Sequence, residues 1–129
     1  MKRSQILVVE DNAINRQLAH DILEHAGFEV IEATSVDDGR ARLREQTPQL
    51  VVMDIQIPGG GGEALLREIR ADARTADLPV VAVTAFAMEG DRERLLAAGF
   101  DGYVSKPIDT LRFASTIASF LKNVEVKDE

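Results

Sequence analysis

The most informative feature of this sequence is an acid at the end of an apolar run. Asp54 follows residues 50–53, Leu-Val-Val-Met, and Pro58 stands four residues later. A run of this kind is typical of a strand that is covered on both faces, as in a parallel sheet between helices. Because an unpaired buried charge is costly, the carboxylate is expected at the end of the strand. That is where open α/β sheets bind ligands, so Asp54 is a candidate functional residue.

Polar groups also end three other strand-like runs. The first run ends in Glu10 and Asp11, the fourth in Thr84 and the fifth in Lys106. If these ends share one edge of a sheet, three carboxylates meet one ammonium group, and the excess negative charge needs to be neutralised. With oxygen ligands and no cysteine in the chain, a hard divalent cation such as Mg²⁺ is the natural partner.

These groups could together transfer a phosphoryl group to an aspartate. Asp54 would be the nucleophile. The metal, Lys106 and Thr84 would hold the oxygens of the transferred group.

Strand and helix patterns alternate through the whole chain. Strands are expected at residues 6–9, 28–33, 50–54, 79–84 and 102–104, with a helix after each. This alternation predicts an α/β fold, a flavodoxin-like (βα)₅ doubly wound parallel sheet. The second strand has the most polar pattern and no ionisable group at its end, which favours an edge position and the strand order 2-1-3-4-5.

Several helix details follow from the same patterns. Ile14, Leu18, Ile22 and Ala26 recur at a spacing of four, with Ala19 and Leu23 widening the stripe, and this stripe is expected to face the core. The second helix is expected to run to Pro48. Helix caps are expected at Asn12, Ser35 and Asp109. The two histidines, His20 and His25, are expected on the surface.

Composition excludes several functions. The 129 residues make one domain, residues 1–129, with a core at about 5–122 and a frayed acidic tail at 123–129. A net charge of −7 and 5% aromatic residues disfavour direct nucleic-acid binding. No apolar run is long enough to span a membrane. We expect a cytoplasmic, mostly monomeric protein that could dimerise on phosphorylation.

The ordered set of motifs resembles the receiver domain of two-component response regulators, the CheY-like family. The motifs are Glu10-Asp11-Asn12, Asp54 with Pro58, Thr84-Ala85 and Lys106-Pro107. The resemblance implies that a histidine kinase or a histidine phosphotransfer protein phosphorylates Asp54. Such a protein is a signalling switch and not an enzyme, beyond its own phosphorylation and slow autodephosphorylation.

The resemblance also implies roles for individual residues. Asp11, Asp54 and the backbone carbonyl of Gln56 would bind Mg²⁺ directly, and Glu10 would act through water. Lys106 would pair with the phosphoryl group, and the Lys106–Pro107 peptide would be cis. Thr84 would turn inward and let Tyr103 follow, which would reshape the face formed by the fourth helix, fifth strand and fifth helix for a downstream effector.

Two further features concern loops beside the site. Phe86 stands two residues after Thr84, as Gln56 does after Asp54, so Phe86 should obstruct an attacking water and prolong the phosphorylated state. The four glycines at 59–62 predict a mobile loop whose purpose the residues do not reveal.

Three alternatives stay open. The chain could be a receiver cut from a hybrid histidine kinase or a larger regulator. A haloacid-dehalogenase-type Mg²⁺-dependent phosphatase would need a second acid where Gln56 stands. An FMN-binding module would need a first loop rich in serine and threonine, which this chain lacks.

Overall fold

Five parallel strands alternate with five helices in the computed structural model, which describes residues 3–56, 61–85 and 90–121. The strands are β1 Gln5–Val9, β2 Glu29–Ala33, β3 Leu50–Asp54, β4 Val80–Thr84 and β5 Gly102–Ser105. The helices are α1 Ala13–His25, α2 Val36–Glu45, α3 Gly61–Ala71, α4 Asp91–Ala98 and α5 Phe113–Ala118. Within the described residues, none of the helices has the length and apolar character needed to cross a membrane.

The sheet has the order β2-β1-β3-β4-β5, so the predicted fold and strand order are confirmed. All four strand pairs are parallel. Val9 is level with Met53, and Asp54 with Val83. This register places the ends of β1, β3 and β4 beside one another.

Alternate residues of each central strand enter separate apolar clusters on the two faces of the sheet. In β1, Leu7 and Val9 join one cluster, and Ile6 and Val8 join the other. The residues of β3 are all buried, which is why its sequence is continuously apolar up to Asp54.

Helix α1 faces the sheet through only part of the predicted stripe. Ala19 and Leu23 are buried, whereas Ile14 is 79% exposed and Leu18 is 36% exposed. Both rows have a spacing of four, so periodicity alone does not decide which one faces the core. The prediction is confirmed for Ala19 and Leu23 and was wrong for Ile14, Leu18 and Ala26.

The predicted caps are confirmed for the first two helices. The Asn12 side chain accepts from the backbone N–H of Asn15 at 2.9 Å, and Ser35 Oγ accepts from that of Asp38 at 3.0 Å. Asp109 instead caps a turn before the last helix, since its Oδ1 accepts from Leu111 N–H at 3.0 Å. Helix α5 begins later, at residue 113, and α2 ends at residue 45, before Pro48.

The glycine run is partly helical. Gly61 and Gly62 are the first residues of α3, so the connection before it is shorter than the four glycines suggested; Gly59 and Gly60 lie outside the described residues. Gly61 has φ +77°, and a Cβ there would lie 2.9 Å from the carbonyl oxygen of Ile55. A Cβ on Gly62 would lie 3.0 Å from the carbonyl oxygen of Asp54. These glycines let α3 begin directly against the end of β3.

Candidate functional site

The polar residues predicted from the strand ends meet at the carboxyl edge of the sheet. Asp54 is the last residue of β3, Thr84 is the last of β4, and Glu10 follows β1. Lys106 follows β5 and its backbone N–H donates to the carbonyl oxygen of Thr84 at 2.8 Å. Parallel pairing therefore brings groups from four parts of the chain to one place.

Both carboxylate oxygens of Asp54 are held by neighbours. Oδ2 lies 2.8 Å from Nζ of Lys106, and Oδ1 accepts from the backbone N–H of Gln56 at 3.0 Å. Asp54 is only 4% exposed. The ammonium group compensates the cost of burying this carboxylate, and the two bonds fix its orientation.

Glu10 is the second buried acid of the site. Its Oε2 accepts from the backbone N–H of Asn12 at 3.1 Å, and its Oε1 lies 3.6 Å from Nζ of Lys106. Burial, together with the nearby charge of Asp54, raises the pKa of Glu10 to about 7 against the lowering effects of Asn12 and Lys106. The site thus holds more negative charge than one lysine neutralises.

The pKa of Lys106 shifts in the direction that keeps it charged. Partial burial alone would lower this pKa, but the hydrogen bond to Asp54 and the charge of Glu10 outweigh it and raise the pKa. Lys106 is therefore an ammonium group at neutral pH.

Three acids are placed so that they could share a cation. One oxygen each from Glu10, Asp11 and Asp54 lies within 4.8 Å of the others. Asp11 is exposed, which leaves an approach from solvent. Oxygen-only ligands, clustered charge and solvent access fit Mg²⁺, which binds few carboxylates and keeps several waters. The role of the Gln56 carbonyl as a ligand stays a prediction.

The remaining predicted residues lie around this cluster. Thr84 is fully buried, and Tyr103, on β5, is partly buried against the apolar cluster on the α3 and α4 side of the sheet. The Lys106–Pro107 peptide is cis, the geometry that the resemblance implies. Phe86 lies outside the described residues, so its predicted role as a gate stays a prediction. His20 contacts Glu32 on β2. It does not belong to the group of described side chains that could hold a metal ion, which consists of Glu10, Asp11 and Asp54.

Sequence reasoning missed two neighbours of the site. Arg16, on α1, donates from Nη1 to the carbonyl oxygen of Glu10 at 3.0 Å. An apolar groove of ≈350 Å³ lies beside Lys106, lined by Asn15, Leu18, Ala85, Lys106, Pro107 and Ile108. The exposed side of α1, which the predicted stripe had assigned to the core, contributes to this groove. The sequence contained a signal for this groove, because Ile14 lies four residues before Leu18 and so on the same side of α1.

Comparison with known proteins agrees with this geometry. Residues 6–118 match the family described as the response regulator receiver domain. The polar-differentiation response regulator DivK of Brucella ovis is 41% identical over 116 residues, covering 90% of this chain and 94% of that protein.

Solved structures show the same fold. The chemotaxis response regulator CheY4 of Vibrio cholerae superposes with a TM-score of 0.88 at 21% identity, covering 93% of this chain and all of that one (100%). The receiver domain of the sensor histidine kinase PA1611 from Pseudomonas aeruginosa has a TM-score of 0.83 at 29% identity and covers 92% of this chain and 98% of its own. That structure has a magnesium ion coordinated in its active-site cleft.

Proposed function

Because this chain belongs to the response regulator receiver family, we propose that Asp54 accepts a phosphoryl group from a phosphohistidine of a histidine kinase or a phosphotransfer protein. The observation that carries the proposal is the contact of 2.8 Å between Lys106 Nζ and the buried Asp54 carboxylate, beside two further acids. A structural ion pair would not need those extra anions, which repel one another when no cation is bound.

The proposed reaction is an in-line transfer between two proteins. An oxygen of Asp54 forms a bond to phosphorus while the bond from phosphorus to the donor imidazole nitrogen breaks. The donor ring, protonated on its other nitrogen, takes the electron pair of that bond and leaves as neutral imidazole. Glu10, Asp11 and Asp54 would hold Mg²⁺, which when bound neutralises charge on the transferred oxygens.

Residues of the chain stabilise the transferred group in the proposed mechanism. Lys106 moves from Asp54 to an oxygen of the phosphoryl group and stays charged because this oxygen replaces the carboxylate as its anionic partner. The N–H of Gln56 keeps the attacking carboxylate oriented. The Thr84 hydroxyl turns toward the new phosphoryl group and bonds one of its oxygens.

Exposed apolar side chains support a docking site for the donor protein beside Asp54. Ile14 is 79% exposed, and the groove lined by Leu18, Pro107 and Ile108 lies beside Lys106. Apolar surface next to a reacting group is typical of a protein contact. Since the phosphohistidine must reach Asp54, the donor would cover this surface during transfer.

The output of the proposed switch is a change in the face formed by α4, β5 and α5. When Thr84 turns toward the phosphoryl group, Tyr103 gains room to turn inward, and the population shifts between two packings of this face. A downstream effector would bind one of them. In this proposal the protein is cytoplasmic. It loses its own phosphoryl group slowly and does not act as an enzyme on other substrates.

The arrangement of the receiver in its native protein is part of the proposal. The Brucella protein, which is matched over 94% of its length, is named a response regulator, so a response regulator is the first candidate. The Pseudomonas relative is the receiver domain of a sensor kinase, so a receiver within a larger protein is the second candidate.

The first test of the proposed function is phosphorylation by acetyl phosphate with Mg²⁺, followed by intact-mass spectrometry. The wild-type chain should gain one phosphoryl group, and Asp54→Asn should gain none, because the nucleophile is lost. Asp21→Asn, an exposed acid on α1, is the matched control and should behave like the wild type. Modification of Asp54→Asn, or no modification of the wild type, would contradict the proposal.

The proposed conformational change is tested by NMR of the same samples. Beryllofluoride with Mg²⁺ should shift the amide signals of Thr84 and Tyr103 in the wild type and leave them in place in Asp54→Asn. If these signals stay unchanged in the wild type while mass spectrometry shows phosphorylation, the switch is wrong and the phosphoacceptor role stands.

A further inference from the structure

Arg16 lies where it can fix the backbone of two of the three clustered acids. Its Nη1 donates to the carbonyl oxygen of Glu10 at 3.0 Å and lies 3.5 Å from that of Asp11. The Arg16 side chain is 18% exposed, and its bond to the Glu10 carbonyl oxygen is partly buried. A shielded charge-assisted hydrogen bond is stronger and more directional than one at an open surface.

Glu32, on the edge strand β2, holds the other side of the guanidinium. Its Oε1 lies 3.5 Å from Arg16 Nε, and its Oε2 lies 2.8 Å from Nδ1 of His20, one turn further along α1. One carboxylate thus joins β2 to two positions on α1. Arg16 extends this connection to the segment between β1 and α1, where the acids stand.

We propose that Arg16 is a positioning residue for the metal-binding acids. Its guanidinium, anchored by Glu32, holds the Glu10–Asp11 backbone so that both carboxylates stay directed toward Asp54. The inference rests on the proposed Mg²⁺-dependent phosphorylation, and it concerns residues that do not touch the phosphoryl group.

Electrostatics alone would give the opposite effect. A positive group near a cation site weakens cation binding, so removing Arg16 would then strengthen the binding of Mg²⁺. However, Glu32 compensates the charge of Arg16, and the guanidinium bonds carbonyl oxygens and leaves the carboxylates available. Loss of an outer partner of a metal ligand typically costs 10-fold to 100-fold in affinity. Positioning should therefore outweigh the relief of repulsion.

The test measures Mg²⁺ dissociation constants by calorimetry on the full chain. Arg16→Met should weaken binding on the order of tenfold. Arg16→Lys keeps the charge and most of the stem but not the planar fork, so it should also weaken binding, by a few-fold. Arg44→Met removes an exposed arginine of α2 and is the matched control, expected to stay within about twofold of the wild type.

A second readout needs no metal. The N–H of Asn12 donates to the Glu10 carboxylate, so its amide signal reports the position of that side chain. In metal-free protein this signal should move in both Arg16 variants and stay in place in Arg44→Met. A merely structural role of Arg16 would lower thermal stability without moving this signal selectively.

The anchoring role of Glu32 is tested with a double-mutant cycle. Glu32→Gln should weaken Mg²⁺ binding a few-fold in the wild-type background and have no further effect in the Arg16→Met background. An equal effect in both backgrounds would show that Glu32 acts independently of Arg16.

Each outcome separates this inference from the proposed function. If Arg16→Met or Arg16→Lys binds Mg²⁺ as tightly as the wild type or more tightly, the positioning role is refuted while phosphorylation of Asp54 stands. If Arg16→Met does not fold, Arg16→Lys decides alone. A wild-type chain that neither binds Mg²⁺ nor gains a phosphoryl group would refute the proposed function itself.

Discussion

Arg70 at the amino end of the sheet and Lys106 at its carboxyl end each gather oxygen atoms from several parts of the chain. Arg70, on α3, donates to the carbonyl oxygens of Ala76, Leu78 and Gly99 at 2.6–3.2 Å. It also contacts Asp101 at 3.0 Å, and the same Asp101 oxygen accepts from the N–H of Val80 at 2.7 Å. One cation there meets one carboxylate and neutral carbonyl groups, so charge and hydrogen bonds are balanced.

The carboxyl end is not balanced in this way. Lys106 contacts two buried acids, and Asp11 adds a third within 4.8 Å. The pKa of Glu10 is raised first by burial and then by the charge of Asp54. The comparison separates a region that stabilises the fold from one that keeps three acids close together, as the proposed function requires.

Arg70→Met should give the largest loss of stability. It removes hydrogen bonds from three backbone carbonyls and leaves Asp101 without its cation, so we expect the free energy of unfolding to fall by about 3 kcal/mol. Phosphorylation of the folded fraction should be unchanged because the site lies at the other end of the sheet. Urea unfolding and mass spectrometry measure the two quantities.

The control for this variant is Arg67→Met on the same helix. Arg67 is exposed, and its loss should change stability by no more than about 0.5 kcal/mol. If both variants lose the same stability, the hydrogen bonds of Arg70 do not have the importance that the comparison gives them.

The second prediction concerns pH and Glu10. Its pKa is raised from 4.5 to about 7, so the folded protein binds this proton more tightly than the unfolded chain. In metal-free protein this group's contribution is therefore fully present below about pH 4.5 and is lost as the pH rises through about 7, by at most about 1.4 kcal/mol per pH unit.

Glu10→Gln isolates this contribution. Urea unfolding in a chelator at pH 5 and pH 7 should show a smaller decrease in the variant than in the wild type. Saturating Mg²⁺ should reduce the decrease in the wild type, because it binds the ionised carboxylates of the folded state. Equal pH dependence of the unfolding free energy in the two proteins would mean that the raised pKa does not belong to Glu10.

The convergence of the site was predictable, whereas its supports were not. Parallel strands end at one edge, so the positions of Glu10, Asp54 and Lys106 after apolar runs were enough to bring them together. Arg16 and Arg70 bond mainly to backbone carbonyls, and a carbonyl acceptor leaves no trace in the residue types along the chain.

The helix surfaces show a similar limit. Ile14 and Ala19 both belong to the predicted stripe, and which of them is buried depends on how α1 packs on the sheet. Likewise, Gly62 is required by the closeness of α3 to the end of β3, and that distance arises only in the folded chain. The run of glycines predicted a mobile loop, whereas Gly61 and Gly62 instead let the start of α3 lie close to the end of β3.

The smallest predicted change in stability is that of Asp11→Asn, which should stabilise the metal-free fold but weaken the binding of Mg²⁺. Asp11→Asn removes an exposed charge from the acidic cluster without breaking a contact of Lys106, so metal-free protein should become more stable by a few tenths of a kcal/mol. Mg²⁺ affinity should fall more than tenfold if Asp11 is a ligand as proposed, because its carboxylate is replaced by a weaker neutral oxygen. At the balanced amino end, Asp101→Asn should instead lower stability. Unfolding curves and Mg²⁺ titrations of both variants test this contrast. If Asp101→Asn is more stable than the wild type, or metal-free Asp11→Asn is less stable, the two ends of the sheet do not differ in the way described.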